Sequence, residues 1–189
     1  MVIRRLKSIH DRVFVAIERL AGEWLLGLTA RLVFSSVLLV FFLHSAATKV
    51  GTGFPGSLIP GAGAYAQIIP HVAEATSYDV SQIAFLPWGL IVTLGTYAEV
   101  ILPCLILVGL FTRAASAAMI GFIAVMTMTD VWGHGLDAKS VGALFDRVQD
   151  SVVSDQRLLW IFPLVYLVVK GAGALSVDGL LARFYQTRN

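Results

Sequence analysis

The sequence predicts an all-α fold: a four-helix transmembrane bundle preceded by an interfacial amphipathic helix. Three observations lead there. Hydrophobic residues make up 57% of the 189-residue chain and charged residues only 14%, against roughly 25% charged in ordinary soluble domains. Mean hydropathy is +0.80. The apolar residues gather into four stretches, each close to the roughly 20 residues that a helix needs to cross a 30 Å hydrocarbon core. A formal charge of +2 leaves no polyanion footprint, which argues against nucleic acid as a partner. The single cysteine, Cys104, rules out an internal disulfide, a CxxC pair and a cysteine-rich metal site, and no metal site is expected.

Residues 1–27 read as the interfacial helix. Ile3, Leu6, Ile9, Val13, Ile17, Leu20 and Trp24 recur at helical spacing, and Arg4, Arg5, Lys7, Asp11, Arg12, Glu18 and Arg19 fill the other side. A basic amphipathic helix of this kind lies in the membrane interface with its apolar face in the acyl boundary; docking on a neighbouring protein is the alternative. Residues 28–182 read as the membrane domain, with spans at 28–48, 83–110, 114–132 and 158–174. The fourth is short and needs Lys170 to snorkel. Pro87, Pro103 and Pro163 fall in or at the edges of these spans and predict kinks rather than breaks, because neighbouring helices re-satisfy freed backbone groups. Residues 183–189 form a tail.

Orientation follows from the basic residues near the span ends. Arg4, Arg5, Lys7, Arg12, Arg19, Arg31, Arg113, Arg183 and Arg188 lie on one side, and Lys49, Lys139, Arg147 and Arg157 on the other. This places both termini in the cytoplasm of a multi-pass protein of the inner (plasma) membrane. Two longer segments then face outward. The first, 51–82, opens Gly/Pro-rich and turns helical over 65–75; it reads as a cap on the outer mouth of the bundle. The second, 133–157, is mixed in charge, with a short amphipathic helix expected over 141–153.

Ionisable groups within spans are costly and face a cavity or a partner. On the first span Arg31, Ser35, Leu38, Phe42, Ser45 and Lys49 share a face, with the two cations about 27 Å apart at the boundaries. Asp130 and His134 are i,i+4 neighbours at the outer end of the third span, within reach of one hydrogen bond. Glu99 sits alone near mid-depth on the second, roughly 16 Å from its inner end, beside Thr96 and Tyr97. Facing lipid, an ionised Glu99 is strongly disfavoured, so it is neutral, paired or lining a polar cavity. The pocket candidates are therefore Arg31, Lys49, Thr96, Tyr97, Glu99, Asp130 and His134. Arg113, Lys170, Ser176 and Asp178 form an inner-boundary polar cluster. For the cations near helix ends, membrane anchoring alone is the competing explanation. His44 points away from Lys49 and reads as packed.

These residues resemble the DoxX family of small four-helix membrane proteins. The matching segments are 30–50 (ARLVFSSVLLVFFLHSAATKV), 97–117 (YAEVILPCLILVGLFTRAASA) and 158–181 (LLWIFPLVYLVVKGAGALSVDGLL). The family pattern has an Arg opening the first helix and a Lys closing it. A Glu in the second helix precedes a Gly-Leu-x-x-Arg turn, a His follows the third helix, and Gly-x-Gly-x-x-Ser-x-Asp closes the fourth. Arg31, Lys49, Glu99, 109–113, His134 and 171–178 occupy those places. Where the family often has Ser-Gly, this chain has Ser45 and Ala46.

The resemblance implies a redox-linked membrane subunit associated with quinone, at most one part of a membrane oxidoreductase. In that reading Glu99 hydrogen-bonds a quinone head group, Asp130 and His134 exchange protons with the outer phase, and electrons come from a partner or a bound cofactor. A non-enzymatic scaffold or assembly partner of a larger complex, including metal- or peptide-handling systems, is the alternative. A small-solute carrier ranks third, because four helices without an inverted repeat make a poor transporter. The expected partners are the lipid bilayer, a membrane or peripheral protein, and a second copy of the chain.

Overall fold

The computed structural model describes residues 2–22 and 24–186; Arg188 and the end of the tail lie outside the described residues. Among the described residues nine helices run in the order α1 (Val2–Ala21), α2 (Leu25–Ala47), α3 (Ala62–Ile68), α4 (Pro70–Ala75), α5 (Leu90–Val108), α6 (Thr112–Met128), α7 (Ala138–Val141), α8 (Leu158–Lys170) and α9 (Val177–Gln186). There is no β-strand among the described residues, only an isolated bridge between Val50 and Pro60. Wide helical turns extend three helices, giving four apolar spans: Leu25–Ala47, Phe85–Val108, Thr112–Gly133 and Val152–Lys170. At 23, 24, 22 and 19 residues, each is long enough to cross a bilayer. The chain is an integral membrane protein.

The four spans close a ring in which α2 packs on α5 and α8, and α6 packs on the same two helices. Apolar contact supplies little drive for helix association within lipid, so close packing and polar contacts must hold the ring together. Phe34, Leu38 and Phe42 of α2, Ile106 of α5, Met119 and Ile123 of α6, and Leu164 and Leu167 of α8 interdigitate along the axis with almost no exposure. Pro103 and Pro163 lie buried inside α5 and α8, which continue through them. Gly27 lets α2 approach the end of α8, since a Cβ there would sit 2.6 Å from the Ala172 carbonyl oxygen.

The inner turn between α5 and α6 depends on Gly109. It adopts φ 73° as the cap of α5, a conformation that costs L side chains energy. The N–H groups of Gly109 and Leu110 both donate to the Leu105 carbonyl, at 2.9 and 3.0 Å. A side chain here would also strike Ser176 and the Arg31 guanidinium.

Helix α1 stands clear of the bundle, with residues 3–20 exposed on all sides. Among the described residues nothing covers its apolar stripe, which suits an interfacial helix. The first outer segment is helical, as expected, in α3 and α4. The second departs from expectation: only α7 forms, and 143–151 is irregular. Gly142 at φ 71° stops α7, and Asp150 and Ser151 bond instead to Gln156 and Asp155. Helix α9 is a further amphipathic helix, exposing Leu180, Leu181, Phe184 and Tyr185, over the end of the membrane domain and the start of the tail as the sequence bounds them. His44 is exposed rather than packed.

Candidate functional site: a cavity lined by two ion pairs

Lys49 does not snorkel outward. Helix α2 ends at Ala47, and Lys49 turns back along it, donating from Nζ to Ser45 Oγ at 2.6 Å and to the Ser45 carbonyl at 3.4 Å. The same ammonium meets Glu99 Oε2 of α5 at 3.1 Å. Lys49 is 4% exposed and Glu99 5%. Glu99 is therefore paired, one of the three states its depth in the span leaves open, and the pair is a cross-helix contact between the end of α2 and α5. With both side chains out of water, the ammonium and the carboxylate compensate each other's charge.

A second pair closes the ring on the opposite side. Arg157, 5% exposed at the start of the fourth span, donates from Nη1 to Thr127 Oγ1 at 2.6 Å and from Nη2 to the Asp130 carboxylate. Sequence reasoning counted Arg157 as a boundary charge. The missed signal was the acceptor pair Thr127 and Asp130, three residues apart on one helix face, opposite a cation that opens the next span. Asp130 and His134 do not bond to each other, as had been expected. The wide turn Thr129–Gly133 swings His134 away, and its Nε2 faces the Gln67 carbonyl of α3 at 3.0 Å.

Both pairs line one cavity of about 700 Å³ in the half of the bundle that carries α3 and α4. Ser45, Gln67 and His134 complete its polar surface, while Leu94, Ala98, Leu102, Phe122 and Met126 supply apolar wall. Beneath it lies the apolar plug of Phe34, Leu38, Met119 and Leu164. Above it, the cap is fastened down: Ile68 fits against Gly95, where an added Cβ would lie 3.1 Å from its Cδ1, and Tyr97 donates to the Leu58 carbonyl at 2.7 Å.

Of the pocket candidates, Lys49, Glu99, Asp130 and His134 line this cavity. Thr96 does not, because it is buried and donates to the Val92 carbonyl of its own helix at 2.8 Å. Tyr97 faces the other way and anchors the cap. Arg31 belongs to the opposite end. It is buried and donates to the Leu107 carbonyl at 2.9 Å and to the Leu175 carbonyl, so it ties α2 to the inner turn and to the loop before α9.

The inner cluster is a structural latch. The Asp178 carboxylate accepts the backbone N–H groups of Phe111 at 2.8 Å and Thr112 at 2.9 Å, satisfying the unpaired donors that open α6. Its own N–H returns to the Gly109 carbonyl at 2.8 Å. Ser176 Oγ accepts from Gly179 N at 3.0 Å and so caps α9. Arg113 lies over Gly171, and Lys170, the last residue of α8, is exposed. Among the described residues, no three His, Cys, Asp or Glu side chains come close enough to hold a metal ion.

The fold and the site together define a multi-pass helical membrane protein with a charge-paired interior cavity. Comparison of the chain with protein families, curated proteins and solved structures finds no match.

Proposed function

We propose that the chain is a redox-linked accessory subunit that binds a quinone-like amphiphile in this cavity. The observation that carries the reading is that two ion pairs, one buried and one half-buried, line one cavity of about 700 Å³ inside an apolar bundle. Lys49–Glu99 and Arg157–Asp130 balance each other's charge, so the cavity suits a neutral head group that exchanges hydrogen bonds. A quinone fits that description, with carbonyl acceptors on a flat apolar ring and a hydrocarbon tail. The sequence likeness to DoxX proteins adds support. When bound, quinone supplies two-electron, two-proton chemistry.

The chain's own part is to bind and orient the head group. Lys49 offers a donor, Glu99 holds or releases a proton at its carboxylate, and His134 at the rim relays one toward the outer phase. In this reading the protein sits in the plasma (inner) membrane with both termini in the cytoplasm, and electrons come from a partner. The test is binding of a short-tailed ubiquinone analogue to the purified protein. Binding to the wild type that is lost in Glu99→Gln supports the reading, and equal binding to both removes Glu99 from it.

A second reading, a scaffold for a larger complex, is favoured by another feature. A groove of about 750 Å³ between α2 and α8, lined chiefly by Val33, Val37, Leu159, Phe162 and Tyr166, has the shape and polarity to receive a partner's transmembrane helix. Stable co-purification of a membrane partner, undisturbed by cavity variants and lost in Val37→Trp, favours it.

A further inference from the structure

The walls of the charged cavity are unequal. The apolar plug closes it toward the inner end, and the Arg157 bonds to Thr127 and Asp130 close it between α6 and α8. It reaches the surface at a polar rim, Gln67 and His134, both exposed. It also reaches the surface between α5 and α6, where lining residues are at the same time exposed on the outside of the bundle. Leu94 is 61% exposed and Val125 59%, and Ala118 and Gly121 are exposed as well. At the depth of a membrane span, that outside is acyl chain, not water. A Cβ placed on Gly121 would meet nothing within 4 Å, so the gap beside it is open space.

The slot runs along α5 from Ile91 to Leu102, about 16 Å of helix and so about half of a 30 Å hydrocarbon core. Its inner side is lined by small residues, Gly95 and Ala98 of α5 and Ala118 and Gly121 of α6. Its floor is the carboxylate of Glu99.

We infer that this slot is a lateral portal: the ligand is a lipid-borne amphiphile whose head meets the Lys49–Glu99 pair while its hydrocarbon tail leaves between α5 and α6, with Gly121 setting the width of the opening. The inference rests on the amphiphile-binding reading above and adds the route and the tail. Three features of the site agree with it. The polar groups are at the cavity's floor and rim. The slot wall is apolar. The slot opens into hydrocarbon, so the tail need not be desolvated or tightly held, and selection falls on the head.

The experiment uses the full-length protein in nanodiscs containing a phosphatidylcholine with a diazirine along one acyl chain. Photolabelled positions are mapped by mass spectrometry, and binding of the short-tailed ubiquinone analogue is measured on the same preparation. In the wild type, label is expected on Glu99 and on Val40, which is 75% exposed on the outside of α2. Gly121→Phe fills the slot and is expected to lower Glu99 labelling about tenfold, equivalent to about 1.4 kcal/mol, with Val40 unchanged. Gly121→Leu serves if the Phe variant does not fold.

An unlabelled Glu99 in the wild type, or equal labelling in Gly121→Phe, overturns the portal. The two readings fail separately. Quinone binding with Glu99 unlabelled removes the portal and leaves the head-group site. Labelled Glu99 without quinone binding keeps the portal and assigns the site to another membrane lipid.

Discussion

Lys49 Nζ and Glu99 Oε2 lie 3.1 Å apart, although the two residues are fifty positions apart in the chain, and both side chains are almost wholly buried. The contact joins the end of α2 to the middle of α5, and both side chains line the cavity. In a medium where apolar packing gives little net attraction between helices, a contact of this kind both holds the ring and furnishes its chemistry.

The stability of the pair follows from its burial. Removing one partner leaves an uncompensated charge in a low-dielectric site, at a cost of about 3–5 kcal/mol. Lys49→Met and Glu99→Leu are each expected to lower the thermal midpoint in detergent sharply. The double variant should recover much of the loss, since an apolar pair of similar volume is often neutral. A double variant less stable than either single one shows that the two residues are not coupled in this way.

Arg157 and Asp130 are unequal partners. Arg157 is nearly buried, while the Asp130 side chain keeps 30% of its exposure. Arg157→Met frees the carboxylate to water and also loses the Thr127 bond. Asp130→Asn strands a buried guanidinium. The expected order is Asp130→Asn more damaging than Arg157→Met, read as the fraction of folded, monodisperse protein after extraction.

The inner latch predicts two further losses. Gly109→Ala meets both an unfavourable φ and the Arg31 guanidinium and is expected to cost more than about 1 kcal/mol. Asp178→Ala removes the acceptor for two backbone donors at the start of α6, at a cost of about 1 kcal/mol, and removes the negative charge facing Arg31. Thermal unfolding checks both, and a double variant tests whether they share one turn.

Helix α1 should be dispensable for the bundle and necessary at the surface. Residues 3–20 are exposed throughout, so deletion of 2–21 is expected to leave the unfolding midpoint unchanged. In nanodiscs with anionic lipid, α1 amides should exchange more slowly than in zwitterionic ones. Arg4→Gln, Arg5→Gln and Lys7→Gln together should abolish that difference.

Two carboxylates outside the spans give a pH signature. The Ser81 hydroxyl, followed by the Gln82 amide, holds the Asp79 carboxyl below the usual aspartate range. The Ser140 hydroxyl and backbone N–H do the same for Asp137 at the start of α7. A folded-state value below the unfolded one means that the stabilisation is present above the ordinary aspartate range and is lost as pH falls through the lowered value. The Ser81 and Ser140 amide resonances are expected to hold constant at neutral pH and shift only below about pH 4. A shift already centred above the ordinary aspartate value contradicts this sign.

The sequence by itself determined the four spans, the exposed amphipathic start and the helical cap, because these depend on composition and on periodicities of a few residues. It also marked Lys49, Glu99, Asp130 and His134 as out of place in hydrocarbon. The tertiary structure decided what those groups do. It turned Lys49 inward onto Glu99, gave Asp130 to Arg157 rather than to His134, sent Thr96 and Tyr97 to backbone partners, and moved Arg31 to a latch at the far end. A helical register states which face a charge occupies. Which group stands opposite is fixed by how the helices pack around the ring: Lys49 and Arg157 each meet a carboxylate across it, while Arg31 meets two backbone carbonyls.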